Sequence, residues 1–306
     1  GGEPTLRKDL PELAAYARKK GMRAVISTNG TLIDRNMARK LKEVGLSYVG
    51  VSLDGMRDTN DKFRGIKGAF NAALRGIHNC QEEGIKVGLR FTINKQNVRD
   101  IPAIFDLLEE KQIPRICFYH LVYAGRGSEM ISEDLSLEES RQAVDLILER
   151  TRDLHEKGFP AEVLTVDNHC DGPYLYMKLL RENPERAAEV FELLSMNQGN
   201  STGIGIGCVS WDGSVHADQF WRHYSFGNVR ERPFSEIWND LNDELMAGLK
   251  NRKPLIKVHG DRCAQCKWLD VCNGNFRVRA EAVYGNVWAD DPACYLTKEE
   301  IGYYKE

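Results

Sequence analysis

The sequence predicts an α/β fold: parallel strands covered by helices over residues 1–127, a helical linking region over 128–195, and a small α+β metal-binding domain over 196–306. Three observations carry this. Short, nearly continuous apolar runs alternate with amphipathic segments of helix length, the pattern of strands buried on both faces by helices. Near residue 128 that rhythm gives way to longer helices. Close to the end, DRCAQCKWLDVCNGNF gathers Cys263, Cys266 and Cys272, and Cys294 follows at the end of WADDPAC.

The elements follow in order. KDLPELAAYARKKG reads as a helix, MRAVISTNG as a strand, LIDRNMARKLKEVG as a helix and SYVGVSLDG as a strand. GAFNAALRGIHNCQEEG, KVGLRFTIN, VRDIPAIFDLLEEKQ and RICFYHLVYAG continue the alternation. Repeated right-handed βα units build an open or closed α/β barrel. Chemistry in such barrels sits where strands end, which singles out Ser27, Thr28 and Asn29, then Ser52 and Asp54, then Arg90, then Tyr119 and His120. Long helices are expected over LSLEESRQAVDLILERTRDLHEKG and YLYMKLLRENPERAAEVFELL, with the polar segment TVDNHCDGP between them. GIGIGCVSWDGSVHADQF reads as a hairpin turning at Asp212-Gly213, and one helix is expected from about Pro233 to Leu249.

Composition bounds the function. The 306 residues, 42% hydrophobic, can bury a substantial core. With 42 Lys+Arg against 45 Asp+Glu, the formal charge of −3 offers no field of one sign for nucleic acid or an anionic membrane. No apolar run approaches the roughly 18 residues of a bilayer span, and GGEPTLRKDL lacks a secretory pattern, so a cytoplasmic location is expected. Eight cysteines are too few for a disulfide scaffold in a chain of this length. Their clustering points to a metal in a reducing compartment. Spacing alone leaves zinc and a 4Fe–4S cluster open, because either accepts four thiolates. Cys80, within an amphipathic helix, and Cys117, within a buried strand, read as packing residues; Cys170 and Cys208 have no assigned role.

GGEP at the start, STNG after one strand, SLDG after the next and GLRFTI on the one after that resemble, in order and rhythm, the radical S-adenosylmethionine (radical SAM) enzymes. C-x2-C-x5-C with a distant fourth cysteine resembles the SPASM/twitch extension of that superfamily. The resemblance implies a partial (β/α)6 barrel, here lacking its first strand, and an auxiliary 4Fe–4S cluster on Cys263, Cys266, Cys272 and Cys294. Asp218 and Phe276 stand where a second auxiliary cluster would take cysteines, so one cluster is expected rather than two. The upstream C-x3-C-x2-C motif of the family, which holds the cluster that cleaves S-adenosylmethionine, is not among these residues. A chain opening on Gly1 is therefore expected to be a fragment without activity of its own, the radical SAM cluster belonging to the full-length protein.

The same resemblance assigns S-adenosylmethionine to Gly1, Gly2, Glu3, Asn29, Ser52, Asp54 and Arg90. Acceptors at GGE suit the methionine ammonium, Ser52 and Asp54 suit ribose, and the Arg90 guanidinium suits a carboxylate. The phrases FYHLVYAGRG, DNHCDGPYLY, HADQFWRHYSFGNVRERPF and CNGNFRVRAEAVYGNVWADDPACYLT resemble the tetrapyrrole-modifying group of the superfamily. That group implies a tetrapyrrole substrate, with Tyr119, His120, Arg126, Asn168 and His169 as residues to hold its carboxylates or iron. It also implies an electron donor such as ferredoxin or flavodoxin. Removal of acetate arms from didecarboxysirohaem is the leading expectation. The alternatives are attack on propionate arms in haem d1 synthesis, peptide maturation, and a non-catalytic iron–sulfur or zinc module.

Overall fold

Five parallel strands form one sheet in the order of the chain: β1 (Val25–Thr28), β2 (Tyr48–Ser52), β3 (Val87–Thr92), β4 (Arg115–Tyr119) and β5 (Glu162–Val166). In this computed structural model, which describes residues 2–303, each strand pairs only with its chain neighbours, as successive βα units require. The intervening helices are α1 (Leu10–Lys19), α2 (Arg35–Glu43), α3 (Arg57–Arg64), α4 (Ala69–Glu82), α5 (Ile101–Glu110) and α6 (Leu137–Glu156). Asp34 caps α2 by accepting from the Met37 amide at 2.7 Å, and Gly65 ends α3 in the left-handed region. Val49, Val51, Leu89, Phe91, Ile116 and Phe118 are buried in the centre of this sheet.

The fifth strand departs from the long-helix expectation for residues beyond 128. AEVLTV is too short for periodicity to show, and its residues are only half-buried because β5 is an edge strand. Its place is fixed by pairing with β4 in register Tyr119↔Val166.

Residues 2–120 and 141–166 make one compact unit; residues 121–140 and 167–303 make the other. In the second unit come α7 (Asp171–Glu182) and α8 (Pro184–Asn197), then β6 (Cys208–Val209) and β7 (Val215–His216), an antiparallel hairpin with Gly213 at φ +92° in its turn. Next are α9 (Phe234–Asn239), α10 (Glu244–Lys250), α11 (Arg252–His259), α12 (Arg262–Gln265), α13 (Leu269–Cys272), α14 (Arg277–Tyr284) and α15 (Lys298–Ile301). Two single helices expected from the sequence are each broken. Pro184 lacks an amide hydrogen and starts α8 afresh behind an Asn183 cap. Asp243 caps α10 on the Met246 amide and so separates it from α9. Trp221, Val215, Ala217, Met246 and Leu249 form the apolar core of this unit. No helix among the described residues is long and apolar enough to cross a membrane.

Candidate functional site

At the C-terminal ends of the strands, register brings Ser52 opposite Arg90. Both point to the sheet face on which Gly50 stands, where a Cβ would lie 2.9 Å from Arg90 Cδ. Arg90 crosses that glycine to lie 4.3 Å from the Tyr119 ring centroid and donates to the Tyr119 hydroxyl. No carboxylate among the described residues meets its guanidinium, so the charge stays available to an anionic ligand. The other residues assigned to S-adenosylmethionine are engaged differently. Glu3 accepts from the Thr5 and Thr28 hydroxyls and from the Thr5 and Asn29 amides. Burial pushes its carboxyl up, but these hydrogen bonds outweigh burial and hold it below the usual range. The Asn29 side chain accepts from the Thr31 amide and hydroxyl in its own turn. Asp54 is buried against Arg64. Gly2 is exposed, and Gly1 lies outside the described residues.

The four clustered cysteines come to one place. Cys263 lies on α12, Cys266 caps it, Cys272 ends α13, and Cys294 lies in the segment before α15. All four line a cavity of about 370 Å³ of empty space, which Cys170 and Trp268 also border. The backbone after Cys272 takes three left-handed residues in a row, Asn273 (φ +53°), Gly274 (φ +75°) and Asn275 (φ +59°). Asparagine tolerates this region because its short amide bonds locally. Asn273 donates to the Asn200 carbonyl at 2.7 Å, and Asn275 donates to Asn168 Oδ1 at 2.6 Å while accepting from the His169 amide. Gly199, at φ +65°, passes so close that a Cβ would lie 2.4 Å from the Cys272 carbonyl carbon.

The donor set fits an iron–sulfur cluster on three grounds. Backbone amides are aimed at the sulfurs two residues earlier: Trp268 at Cys266 (3.4 Å), Gly274 at Cys272 and Leu296 at Cys294. Arg277 is buried with its Nε unpartnered and its charge beside Cys263 and Cys272, which suits a site that would carry net negative charge. The four thiols line one cavity, matching the four irons of a cubane, each of which takes one thiolate. Burial pushes the Cys266 thiol up to about 11 and Cys272 to about 12, and raises Cys263, so loading iron must expel protons.

Residues expected at the substrate divide between the units. Tyr119 and His120 close β4, the latter buried with its amide on the Val166 carbonyl. Arg126 is exposed on the 3-10 helix Gly125–Glu133. Asn168 is buried and structural, donating to the Ala293 carbonyl and accepting from Asn275. His169 stacks on Phe276 at 5.8 Å, and no hydrogen bond among the described residues reaches its ring. Burial lowers its pKa to about 4, keeping the imidazole neutral. Phe276 also meets Phe220 at 5.7 Å, and both oxygens of Asp218 are engaged, by the Thr202 hydroxyl and the Phe220 amide.

Sequence reasoning missed the polar residues that hold this geometry. Arg279 and Asp291 form a fully buried pair, Nε–Oδ1 2.8 Å and Nη2–Oδ2 2.9 Å. Arg279 also donates to the Leu121 and Asp167 carbonyls, and Asp291 accepts from the Phe276 and Ala293 amides. Arg252 is buried against Asn200 Oδ1 and the Leu249 and Thr202 carbonyls. Charged residues spaced along polar, turn-rich segments read as surface, and no pattern marks them as buried.

Comparison with known proteins agrees with this geometry. The family model described as Radical SAM superfamily matches residues 1–108, and the iron-sulfur cluster-binding domain (SPASM) matches residues 205–267. The chain is 92% identical over 305 residues to Fe-coproporphyrin III synthase of Methanosarcina barkeri, covering 100% of this chain and 76% of that protein. It is 41% identical over 306 residues to pre-heme d1 synthase of Dinoroseobacter shibae, covering 99% and 74%. Among solved structures it resembles anSMEcpe with bound AdoMet (TM-score 0.71, 18% identity, 99% of this chain and 77% of that one). It also resembles Streptococcus suis SuiB (TM-score 0.73, 19% identity, 97% and 66%).

Proposed function

The chain belongs to the radical SAM superfamily, with a SPASM iron–sulfur region, and from that premise we propose that it acts in haem biosynthesis, removing the acetate arms of didecarboxysirohaem to leave iron-coproporphyrin III. It is an enzyme of radical SAM chemistry that uses S-adenosylmethionine and 4Fe–4S clusters. The observation that carries the substrate reading is the 92% identity, along the whole chain, to a protein named for making Fe-coproporphyrin III.

In this reading S-adenosylmethionine, when bound, would supply the hydrogen-abstracting chemistry that acts on the substrate arm. Arg90 pairs with the cofactor carboxylate, because its guanidinium meets no carboxylate among the described residues, and Ser52 beside it on the same face hydrogen-bonds the ribose. Glu3 and Asn29 contribute by shaping the backbone, their side chains being spent on Thr5, Thr28 and Thr31. Asp54 acts through Arg64. Cys263, Cys266, Cys272 and Cys294 hold the auxiliary cluster. His169, neutral and with no hydrogen bond to its ring among the described residues, suits substrate iron, and Arg126 suits a substrate carboxylate. A ferredoxin- or flavodoxin-like protein supplies the electron.

The test is anaerobic incubation of the gene's full-length product with didecarboxysirohaem and S-adenosylmethionine, followed by mass spectrometry. Loss of two acetate-derived groups with 5′-deoxyadenosine formed supports the reading. Loss of propionate-derived mass would transfer the protein to the haem d1 route, a second reading that the 41% identity to pre-heme d1 synthase keeps in view.

A further inference from the structure

Trp268 lines two separate spaces. Inward it borders the cavity of the four cluster cysteines; outward it lines, with Phe191, Lys253, Lys267 and Val271, an open groove of about 850 Å³ of empty space. Trp268 is the wall they share. Its indole N–H donates to the Glu300 carbonyl at 2.8 Å, and Tyr176 meets its ring edge-on at 5.6 Å while packing on Phe191 at 5.1 Å. A ring held both by a hydrogen bond and by aromatic packing gives the groove a fixed apolar floor.

The rim is basic. Lys253 and Lys257 stand one turn apart on α11, and the exposed Lys267 holds its ammonium 4.9 Å from the Trp268 ring centroid. Asp270, which also lines the groove, is paired with Lys253 at 2.7 Å, and no ion pair among the described residues engages Lys257 or Lys267. In a chain of formal charge −3, residues 251–270 hold five lysines and arginines against two aspartates, so positive charge is gathered on this segment. A small apolar floor with a lysine rim suits a brief encounter with an acidic protein, and electron-transfer encounters are of this small, charge-steered kind. A concave groove takes the convex acidic edge of a ferredoxin more readily than the broad face of a flavodoxin.

We propose that this groove docks an acidic ferredoxin, which delivers one electron to the auxiliary cluster across Trp268. The step breaks no bond and moves no proton: the reduced ferredoxin loses the electron and the auxiliary cluster gains it. This rests on the assignment of that cluster to Cys263, Cys266, Cys272 and Cys294 and on the electron-donor reading above. With a single residue shared between groove and cysteine cavity, a docked donor needs no channel to reach the cluster.

The test uses anaerobically reconstituted full-length protein and an acidic 4Fe–4S ferredoxin, with binding read by isothermal titration calorimetry at low and high salt. Wild-type affinity is expected to fall as salt rises. The double variant Lys257→Glu/Lys267→Glu, at two exposed positions, is expected to bind about tenfold more weakly at low salt with its iron content unchanged. Formation of 5′-deoxyadenosine should fall in the double variant when ferredoxin is the reductant and match wild type when dithionite is. Equal ferredoxin affinity in the double variant and wild type would overturn the proposal. So would a flavodoxin that binds wild type and is lost in the double variant while ferredoxin binds neither. Absence of 5′-deoxyadenosine from wild type with dithionite would overturn the function proposed above, while the binding comparison still decides the docking surface.

Discussion

The sheet unit and the cysteine unit place functional side chains by opposite means. Around the sheet, Ser52 and Arg90 are set by strand register and by the apolar core of Val49, Leu89, Phe91 and Phe118 behind them. Around the cysteines, two four-residue helices carry or end at three of the ligands and Cys294 lies on no helix, and the surrounding backbone is held by buried Arg252, Arg277, Arg279, Asn168, Asn200, Asn275 and Asp291. Short elements leave many amides and carbonyls unpaired, and burying them demands polar partners. The backbone that carries the cysteines is therefore held by groups that a plain hydrophobic core would exclude, while Pro173, Trp268, Leu269 and Leu296 line the cavity beside the thiols. The two units should break under different substitutions.

The largest effect expected is at the Arg279–Asp291 pair. Asp291→Ala leaves a fully buried guanidinium without its counter-charge and should destabilise the cysteine unit by about 3–5 kcal/mol. Iron content should fall with it, measured by urea denaturation and metal analysis. A change below about 1 kcal/mol would mean that the pair does not hold the unit together. The counterpart in the other unit is Leu89→Ala, a cavity in the middle of the sheet, expected to cost about 2–5 kcal/mol. Its auxiliary iron should remain at the wild-type count, and concurrent iron loss would erase the distinction between the units.

His169 sharpens the comparison through pH. Its folded pKa of about 4 lies below the ordinary 6.5, with burial as the main cause. The folded state therefore resists a proton that the unfolded state accepts. The neutral ring's contribution is fully present above pH 6.5 and is lost as pH falls from about 6.5 to 4, on the order of 3 kcal/mol in total. Stability measured across that window should fall less steeply in His169→Phe than in wild type, and identical slopes would refute the buried, neutral assignment. The smallest effect is expected at Glu162, an exposed partner of Lys86 and Arg115 at the sheet edge. Glu162→Gln should change stability by less than about 1 kcal/mol, and a thermal melt checks it.

How much was legible in the sequence differs between the units for the same reason. The central strands β2, β3 and β4 show in the apolar runs because they are apolar on both faces; of the two edge strands, β1 shows in VIST and β5 does not. Helix breaks at Pro184 and Asp243 had local signals that the amphipathic pattern overrode. Cys80 and Cys117 are buried, where the sequence put them. At the site, the spacing of Cys263, Cys266, Cys272 and Cys294 marked them as a group without choosing the metal. The polar ends of the strands were legible as a set, but not which members face the open side.

By itself the sequence determined the α/β alternation, the grouping of four cysteines and the candidate residues at the strand ends, because these rest on periodicity and spacing along one chain. Tertiary structure alone decided that Arg90 meets no carboxylate among the described residues while Asp54 is spent on Arg64, and that Arg279 is buried on Asp291 rather than exposed to water. It also decided that Cys170, far from Cys294 along the chain, borders the same cavity. Partners of this kind are selected by the folded backbone, and the energy of a buried charge or thiol depends on those partners rather than on its neighbours in sequence.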